Sequence, residues 1–265
     1  MKIFISADIE GTTGIVDWNE TILGNPEFTY FSNQMTKEVK AVCDGANEAG
    51  AAEIVVKDAH DSARNIIPSE LPENTKLIRN WEQSPLVMMS GLDQSFDAVV
   101  MTGYHSPAST NYNPLAHTLD TSIDKIIING EIASELLINL YTASYFNVPV
   151  VCVTGDKGIC DIAKKINSNI TTIPVIEGIG GASISINPNL AIKIIKEEVK
   201  NTLISDYKKC LVTLPKNFDI KIKYKSFKEA YKASFYPDVE VIDNQTISYK
   251  CDDYFEVLRL LLFVC

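Results

Sequence analysis

Short apolar runs alternate with segments of helical periodicity along most of this chain. The runs at 2–8 (KIFISAD) and 53–58 (EIVVKD) enclose a segment, 33–49, whose apolar residues recur at helical spacing. Further apolar runs occupy 96–103, 125–129 and 148–154. Strands that are apolar on both sides are typical of parallel sheets covered by helices. The sequence therefore predicts an α/β fold with a central, mostly parallel sheet and helices on both faces.

Further helices are predicted at 131–146, 157–166 and 189–203. After about residue 188 the sequence pattern changes. Residues 218–225, in contrast, alternate between apolar and polar side chains, as a half-exposed antiparallel strand does. We expect an α/β domain at 1–206 and a smaller C-terminal α+β lobe at 207–265 that packs directly on it.

Charge and cysteine usage exclude several classes of protein. The chain has 34 acidic and 24 basic residues, a formal net charge of −10, which disfavours nucleic acid as a partner because phosphate binding relies on Lys and Arg. No apolar run approaches the length of a membrane span, and the apolar run at the N-terminus is too short for a signal peptide. The six cysteines include no C-x-x-C pair, so we expect free thiols and a cytoplasmic location.

The chain contains only three histidines, and none of them lies in the C-terminal lobe. His60 and His105 follow the ends of predicted strands, and His117 follows the polar loop 106–114 (SPASTNYNP). A single histidine in such a place is more often a structural or surface residue than a ligand. Open α/β sheets, however, bind ligands beyond the carboxyl ends of their strands. The shared placement of all three therefore favours one functional site.

Acidic residues accompany these histidines. Asp8 and Glu10 stand two apart after the first strand, so both carboxylates can point to the same side, although a turn acid and a capping acid are the simpler interpretation. Glu135 lies on a predicted helix face among apolar neighbours, where it is either solvated or near the core and in need of a partner. Asp58, two residues before His60, could orient the imidazole ring.

Two or three carboxylates with two imidazoles form the ligand set of a dinuclear hydrolytic site. Mixed oxygen and nitrogen ligands suit zinc, and a remaining histidine can perform acid–base chemistry. The chain lacks G-x-S-x-G, G-x-x-x-x-G-K-[ST] and H-E-x-x-H motifs, so serine hydrolase, P-loop and zincin chemistries are weaker interpretations.

Six short motifs in order make the sequence similar to a known family. It resembles the D-aminopeptidase family of the DppA type, peptidase family M55, from the first strand to about residue 200. The residues that carry the resemblance are Asp8-Ile9-Glu10-Gly11, Lys57-Asp58-Ala59-His60, Gly103-Tyr104-His105, Leu115-Ala116-His117-Thr118, Asn129-Gly130 with Glu135, and Val148-Pro149-Val150 through Gly155-Asp156.

The resemblance implies a zinc-dependent aminopeptidase that acts on short peptides, including D-amino-acid peptides, with two zinc ions per subunit. It implies that Asp8 bridges the two ions, with Glu10 and His60 on one and His105 and Glu135 on the other. His117 would be the catalytic histidine, either as a nucleophile or as a general acid and base. It also implies a ring-shaped homo-oligomer that restricts access to small peptides. The apolar C-terminal end (LLLFVC) is compatible with a subunit interface but equally well explained as core.

Two departures from the family pattern concern loops that could contact substrate. Pro107 follows the Gly103-Tyr104-His105 motif, and uncharged or acidic residues stand around Gly178 where many members have basic ones. The preference for D- over L-residues is therefore open. Two alternative functions also remain at this point: a dinuclear hydrolase of another small amide or ester, and a non-catalytic homologue that binds metal or peptide.

Overall fold

Two β-sheets organise the chain in the computed structural model, which describes all residues from 1 to 265. The strands are β1 (Lys2–Ala7), β2 (Glu53–Asp58), β3 (Thr75–Ile78), β4 (Ala98–Tyr104), β5 (Ile123–Ile128), β6 (Glu131–Ile132), β7 (Val150–Asp156), β8 (Thr171–Ile179), β9 (Ala182–Ser185), β10 (Phe218–Tyr224), β11 (Glu240–Asp243) and β12 (Thr246–Cys251). The helices are α1 (Phe28–Glu48), α2 (Glu135–Tyr145), α3 (Lys157–Ile166), α4 (Pro188–Ile204), α5 (Phe227–Ala233) and α6 (Tyr254–Val264).

The larger sheet has seven strands in the order β3-β2-β1-β4-β7-β8-β9, and all neighbours are parallel except β8 and β9. Successive side chains of the interior strand β1 point to opposite faces, yet Ile3, Phe4 and Ile5 are all fully buried. Both faces are therefore covered, and the predicted α/β class with a mostly parallel sheet flanked by helices is confirmed.

The smaller sheet is antiparallel throughout, in the order β11-β12-β10-β5-β6, and has its own apolar core. Its central strand β10 alternates between buried and less buried residues, as its sequence predicts. Two of its strands, β5 and β6, come from residues 123–132, which lie inside the predicted first domain at 1–206. The boundary between residues 206 and 207 stays a prediction, and these two strands join a sheet whose other strands lie beyond it.

The predicted helix at 131–146 was wrong at its start. Asn129 and Gly130 have positive φ values of 52° and 89°, the backbone of a two-residue hairpin turn, so the chain turns back and pairs β6 with β5. The helix begins only at Glu135, where the Ser134 side chain accepts a hydrogen bond from the backbone N–H of Leu137. This start places Glu135 in the first turn of α2.

The parallel register brings the carboxyl ends of the central strands to one edge of the larger sheet. Ala7 of β1 lies beside Asp58 of β2 on one side and beside Thr102 of β4 on the other. The residues that directly follow these strands therefore lie next to one another.

None of the helices is both long enough and apolar enough to cross a membrane. All six cysteines are free thiols, four of them buried.

The turn after β1 is pressed against the end of β4. The backbone N–H of Gly11 donates to the carbonyl of Gly103 at 2.8 Å. A Cβ atom on Gly11 would lie 2.0 Å from the carbonyl oxygen of Tyr104, which belongs to rigid backbone. Only glycine fits at this position, and its fit brings the turn that carries Glu10 next to the strand that precedes His105.

We predict that Gly11→Ala lowers the free energy of unfolding by about 1–3 kcal/mol, because the added methyl forces two backbone segments apart. Denaturant unfolding followed by circular dichroism measures the change. Gly181→Ala is the matched control, since nothing lies within 4 Å of a Cβ at Gly181. Equal stabilities of the two variants would show that the turn moves freely.

Candidate metal centre

All six predicted site residues converge at the carboxyl edge of the larger sheet. Five of them are buried, with exposures of 3% for Asp8, 1% for Glu10, 6% for His60, 1% for His105 and 4% for Glu135. His117 is half-buried and faces a cavity. The carboxylates and imidazoles that the sequence analysis selected therefore form one cluster.

The two carboxylate oxygens of Asp8 face two different histidines. Oδ1 lies 3.4 Å from Nδ1 of His60, and Oδ2 lies 3.5 Å from Nε2 of His105. Glu10 Oε1 is 3.0 Å from the same His60 nitrogen, and Glu135 Oε2 is 3.2 Å from the same His105 nitrogen. The cluster thus divides into two groups of three that share Asp8.

Each group is compact enough to surround one cation. One ligand atom each from Asp8, Glu10 and His60 lies within 4.8 Å of the others, and the same holds for Asp8, His105 and Glu135. Glu10, His105 and His117 form a third, overlapping group. A carboxylate shared by two ligand groups is the arrangement that bridges paired ions in two-metal hydrolases.

Backbone carbonyls orient all three imidazole rings. One ring nitrogen of each histidine lies at hydrogen-bond distance from a carbonyl oxygen, which only accepts, so that nitrogen carries the proton. The other nitrogen, which faces the acids, then holds a lone pair for a metal or a proton. The pairs are His60 Nε2 with Thr21 O at 3.1 Å, His105 Nδ1 with Ser106 O at 3.0 Å, and His117 Nδ1 with Leu115 O at 2.9 Å.

Two buried atoms of the cluster have no hydrogen-bond partner. These are Oε2 of Glu10 and Nε2 of His105. A buried polar atom without a partner is costly, and a histidine lone pair directed at carboxylate oxygens is repulsive unless a cation or proton lies between them. Three carboxylates and two imidazoles are a donor set that suits zinc and related divalent ions, so the residues present fit a dinuclear metal centre.

The acids of the cluster influence one another strongly. Burial, followed by the charge of Glu10, raises the pKa of Asp8 well above its ordinary value. Burial acts in the same direction on Glu10, but the facing His60 outweighs it and holds the pKa of Glu10 well below its ordinary value. Glu135 behaves similarly, because His105 outweighs its burial and lowers its pKa.

The histidines respond in two different ways. Burial would lower the pKa of both His60 and His105, but Glu10 facing the first and Glu135 facing the second outweigh it and raise both pKa values. In His117, burial and the nearby His105 lower the pKa instead. The rings of His105 and His117 are stacked, with centroids 4.3 Å apart. His117 is therefore the histidine that stays neutral most readily.

A cavity of about 700 Å³ opens onto the cluster. Asp8, Glu10, His60, His117 and Glu135 form its floor, whereas His105 lies behind them and does not line it. The walls are mainly apolar, with two acids and no Lys or Arg; they include Trp18, Ile22, Asp61, Trp81, Val87, Met88, Leu119, Asp120, Leu261 and Leu262. Cavities of this size enclose small organic ligands.

Asp58 has a different task from the one expected. Its carboxylate accepts hydrogen bonds from the backbone N–H groups of Asn65 and Ile66 and from the Asn65 side chain, which also donates to the carbonyl of His60. It therefore holds the loop that carries His60, whereas the ring itself is oriented by Thr21. Nothing in the local sequence marks Thr21, because its carbonyl reaches His60 through the fold.

Two further groups support the cluster and were missed by sequence reasoning. The backbone N–H of Leu119 donates to Oε1 of Glu135 at 2.7 Å, and Leu119 has a φ of 63°, a strained conformation for a branched side chain. Asn113 donates to the carbonyl of Glu10 and to the buried Asp156 carboxylate. The Asn-Pro pair in the polar loop was the available signal for Asn113.

The two loops that we expected to contact substrate do not line this cavity. The backbone N–H of Gly178 donates to the carbonyl of Tyr112, so the segment around Gly178 packs on the loop 106–114 instead. A Cβ at Gly178 would lie 2.6 Å from that carbonyl. The departures from the family pattern therefore lie outside the cavity walls.

A family model, a known protein and a solved structure each match this chain over almost its whole length. The model of peptidase family M55, described as D-aminopeptidase, matches residues 1–263. A D-aminopeptidase of Bacillus subtilis (strain 168) is 27% identical over 99% of this chain and 96% of its own length. A solved structure described as "Zn-dependent D-aminopeptidase DppA from Bacillus subtilis, a self-compartmentalizing protease" superposes with a TM-score of 0.94, at 27% identity, over 100% of this chain and 96% of the other. The chain belongs to the D-aminopeptidase family of peptidases, family M55.

Proposed function

We propose that this protein is a zinc-dependent aminopeptidase that hydrolyses the N-terminal peptide bond of short peptides, including peptides that begin with a D-residue. The observation that carries the proposal is the pair of ligand groups that share Asp8, each with one histidine lone pair directed at it. The zinc dependence described for the structural relative supports the choice of metal.

Two zinc ions per subunit fit the cluster as follows in this proposal. Asp8, Glu10 and His60 would hold one ion, and Asp8, His105 and Glu135 would hold the other. When bound, the ions supply Lewis-acid activation of water and of the scissile carbonyl. Leu119 holds the Glu135 carboxylate through its backbone N–H, and Asp58 holds the loop of His60, so both ligand sets are oriented before substrate arrives.

His117 is the proposed catalytic histidine, acting as a general base and then as a general acid. Its Nδ1–H donates to the Leu115 carbonyl, so Nε2 holds the lone pair and lies 3.9 Å from Glu10 Oε1 and 3.8 Å from Glu135 Oε1. The lowered pKa keeps this ring neutral and able to accept a proton from the attacking nucleophile. The same nitrogen then returns the proton to the leaving amine.

The charge of the cavity favours a free N-terminus over a C-terminus. Outside the proposed ligands, its charged lining residues are Asp61 and Asp120, and no Lys or Arg lines it. A peptide ammonium group is therefore attracted, whereas a terminal carboxylate finds no cationic side chain. The cavity of about 700 Å³ is large enough for the N-terminal part of a short peptide.

We also propose a homo-oligomer that forms a ring, which is supported by the self-compartmentalizing description of the relative. The C-terminal end contributes mainly to the core, since Leu260 and Leu261 are buried, but Phe263 is exposed. An exposed apolar surface on α5, β11 and their surroundings is the better candidate interface; it includes Phe227, Tyr231, Phe235, Val241 and Ile242. Light scattering coupled to size-exclusion chromatography tests the assembly.

The proposed activity is tested with D-Ala and L-Ala p-nitroanilides. We expect release of p-nitroaniline by the zinc-loaded protein, loss of release after treatment with a chelator, and recovery when zinc is returned. Glu135→Gln should abolish release, whereas Glu131→Gln is the control because Glu131 is exposed and lies outside the cluster. Chelator-sensitive cleavage of a different amide or ester alone would support the alternative hydrolase. Two bound metals without any turnover would support a binding protein.

His117→Ala should lower kcat by about 10²–10⁴-fold, the usual contribution of general acid–base catalysis, and leave about two zinc ions per chain. Steady-state kinetics and metal analysis of the same preparation measure both quantities. His105→Ala is the contrasting variant, because we expect it to lose about one zinc ion per chain. Loss of metal from the His117 variant would mean that this residue is a ligand.

Zinc binding should weaken as the pH falls. The raised pKa values of His60 and His105 mean that the metal-free protein holds protons on these rings, and zinc must displace them. Calorimetry in buffers of different ionisation enthalpy should detect proton release, with tighter binding at about pH 8 than at about pH 6. Glu38→Gln, which changes a buried acid outside the cluster, should leave the proton release unchanged. Affinity that rises on acidification would contradict the assigned ligands.

A further inference from the structure

The loop between β3 and β4 forms one wall of the cavity that opens onto the cluster of carboxylates and histidines. Trp81, Val87 and Met88 of this loop all line the cavity. The middle of the loop is anchored in the core, where the carbonyl of Met88 accepts a hydrogen bond from the Ser6 hydroxyl and the Met88 sulfur contacts Asn139. At the start of the loop, the residues directly before and after Trp81 are exposed to solvent, whereas Trp81 itself is half-buried. Its position therefore depends on contacts made by the indole itself.

A buried lysine lies against that indole. Lys57 is the residue before Asp58 on β2 and is fully buried. Its Nζ donates to the carbonyl of Asn80 at 2.8 Å and lies 4.3 Å from the centroid of the Trp81 ring. No salt bridge accompanies these contacts, so the carbonyl and the ring face are the partners that replace water around the charge. Burial lowers the pKa of Lys57 to about 8, in spite of the nearby Asp58 and Glu82.

The other side of Trp81 is tied to the loop that carries His60. The indole Nε1–H donates to the carbonyl of Asp61 at 2.7 Å, and the backbone N–H of Asn80 donates to the carbonyl of Ala63. Asp61 and Ala63 both have positive φ values, 40° and 49°, so this loop is held in an unusual conformation. Trp81 is thus fixed between the lysine and the metal-ligand loop while it forms part of the cavity wall.

We propose that Trp81 is a specificity-determining residue that packs against the side chain of the substrate's N-terminal residue, and that Lys57 is a positioning residue that holds Trp81 in place. The inference rests on the proposed peptidase function. Trp18, the other tryptophan of the cavity, packs edge-on against His117 at 5.2 Å between centroids and belongs to the reaction side. Together with Val87 and Met88, Trp81 makes an apolar wall that favours large apolar side chains.

If Lys57 had a purely structural role, its replacement would lower the melting temperature and leave the discrimination between substrates unchanged. Lys57→Met keeps the length of the side chain and removes a buried charge, a change that is often neutral or stabilising. A protein that keeps its melting temperature but loses discrimination between substrates would therefore report positioning. Lys57→Arg retains a cation over the ring and serves as the conservative variant. Lys76→Met on β3 is the matched control, because Lys76 is 73% exposed and pairs with Glu53 at the surface.

The kinetic test compares D-Phe and D-Ala p-nitroanilides on the zinc-loaded variants. Trp81→Ala should lower the ratio of kcat/KM for D-Phe over D-Ala by about tenfold or more, mainly through KM, with zinc content unchanged. Lys57→Met should shift the ratio in the same direction by a smaller factor, and Lys57→Arg should restore it at least in part. An unchanged ratio in Trp81→Ala would overturn the proposal. Loss of kcat on both substrates alike would overturn it too.

A second readout does not need turnover, so it separates failure of this proposal from failure of the proposed function. The chain has two tryptophans, and Trp18→Phe leaves Trp81 as the only one. Lys57→Met in that background should raise the acrylamide quenching of Trp81. D-phenylalaninamide should protect Trp81 from quenching more than D-alaninamide does. Equal protection by the two amides, or quenching that Lys57→Met leaves unchanged, would overturn the proposal even if the protein is an active peptidase.

Discussion

Three buried carboxylates at one sheet edge are the constraint on which the rest of this site depends. Like charges in a low-dielectric interior are tolerable only with a proton or a cation between them. Asp8, Glu10 and Glu135 are nearly inaccessible to solvent, and the cationic groups that face them are histidines rather than Lys or Arg. The facing acids raise the pKa values of His60 and His105, so without metal these two rings take up protons. The fold thus concentrates negative charge in residue groups that could hold metal ions.

The protein holds this charge in place through backbone groups. Carbonyl oxygens fix the tautomer of each histidine, and the N–H of Leu119 fixes Glu135. Backbone groups belong to the rigid framework of strands and turns, so they orient ligands with little loss of side-chain entropy. The outer parts of the site are less directly tied to the sheet, and there a second set of contacts, from Lys57 and Asp61 to Trp81, shapes the cavity wall.

Sequence reasoning succeeded where the determining pattern is local and failed where contacts are distant. The apolar runs of β1, β2 and β7 predict buried strands because burial on both faces needs continuous apolar sequence. The start of α2 was misplaced because a two-residue turn at Asn129 outweighs the helical pattern that follows it. We expected Asp58 to orient the His60 ring because both residues lie in one motif. Its carboxylate instead accepts hydrogen bonds from the backbone N–H groups of the residues seven and eight positions later.

The sequence by itself determined the mostly parallel α/β sheet, the six candidate side chains, and the place of four of them, Asp8, Glu10, His60 and His105, beyond strand ends. It could do so because hydrophobic periodicity and donor chemistry are properties of short segments. Only the tertiary structure decided which nitrogen of each histidine faces the acids, that Asp8 divides its oxygens between two histidines, and that β5 and β6 join the second sheet. Only it placed the buried Lys57 against Trp81. Those outcomes depend on the relative positions of segments far apart in the chain, which no local pattern encodes.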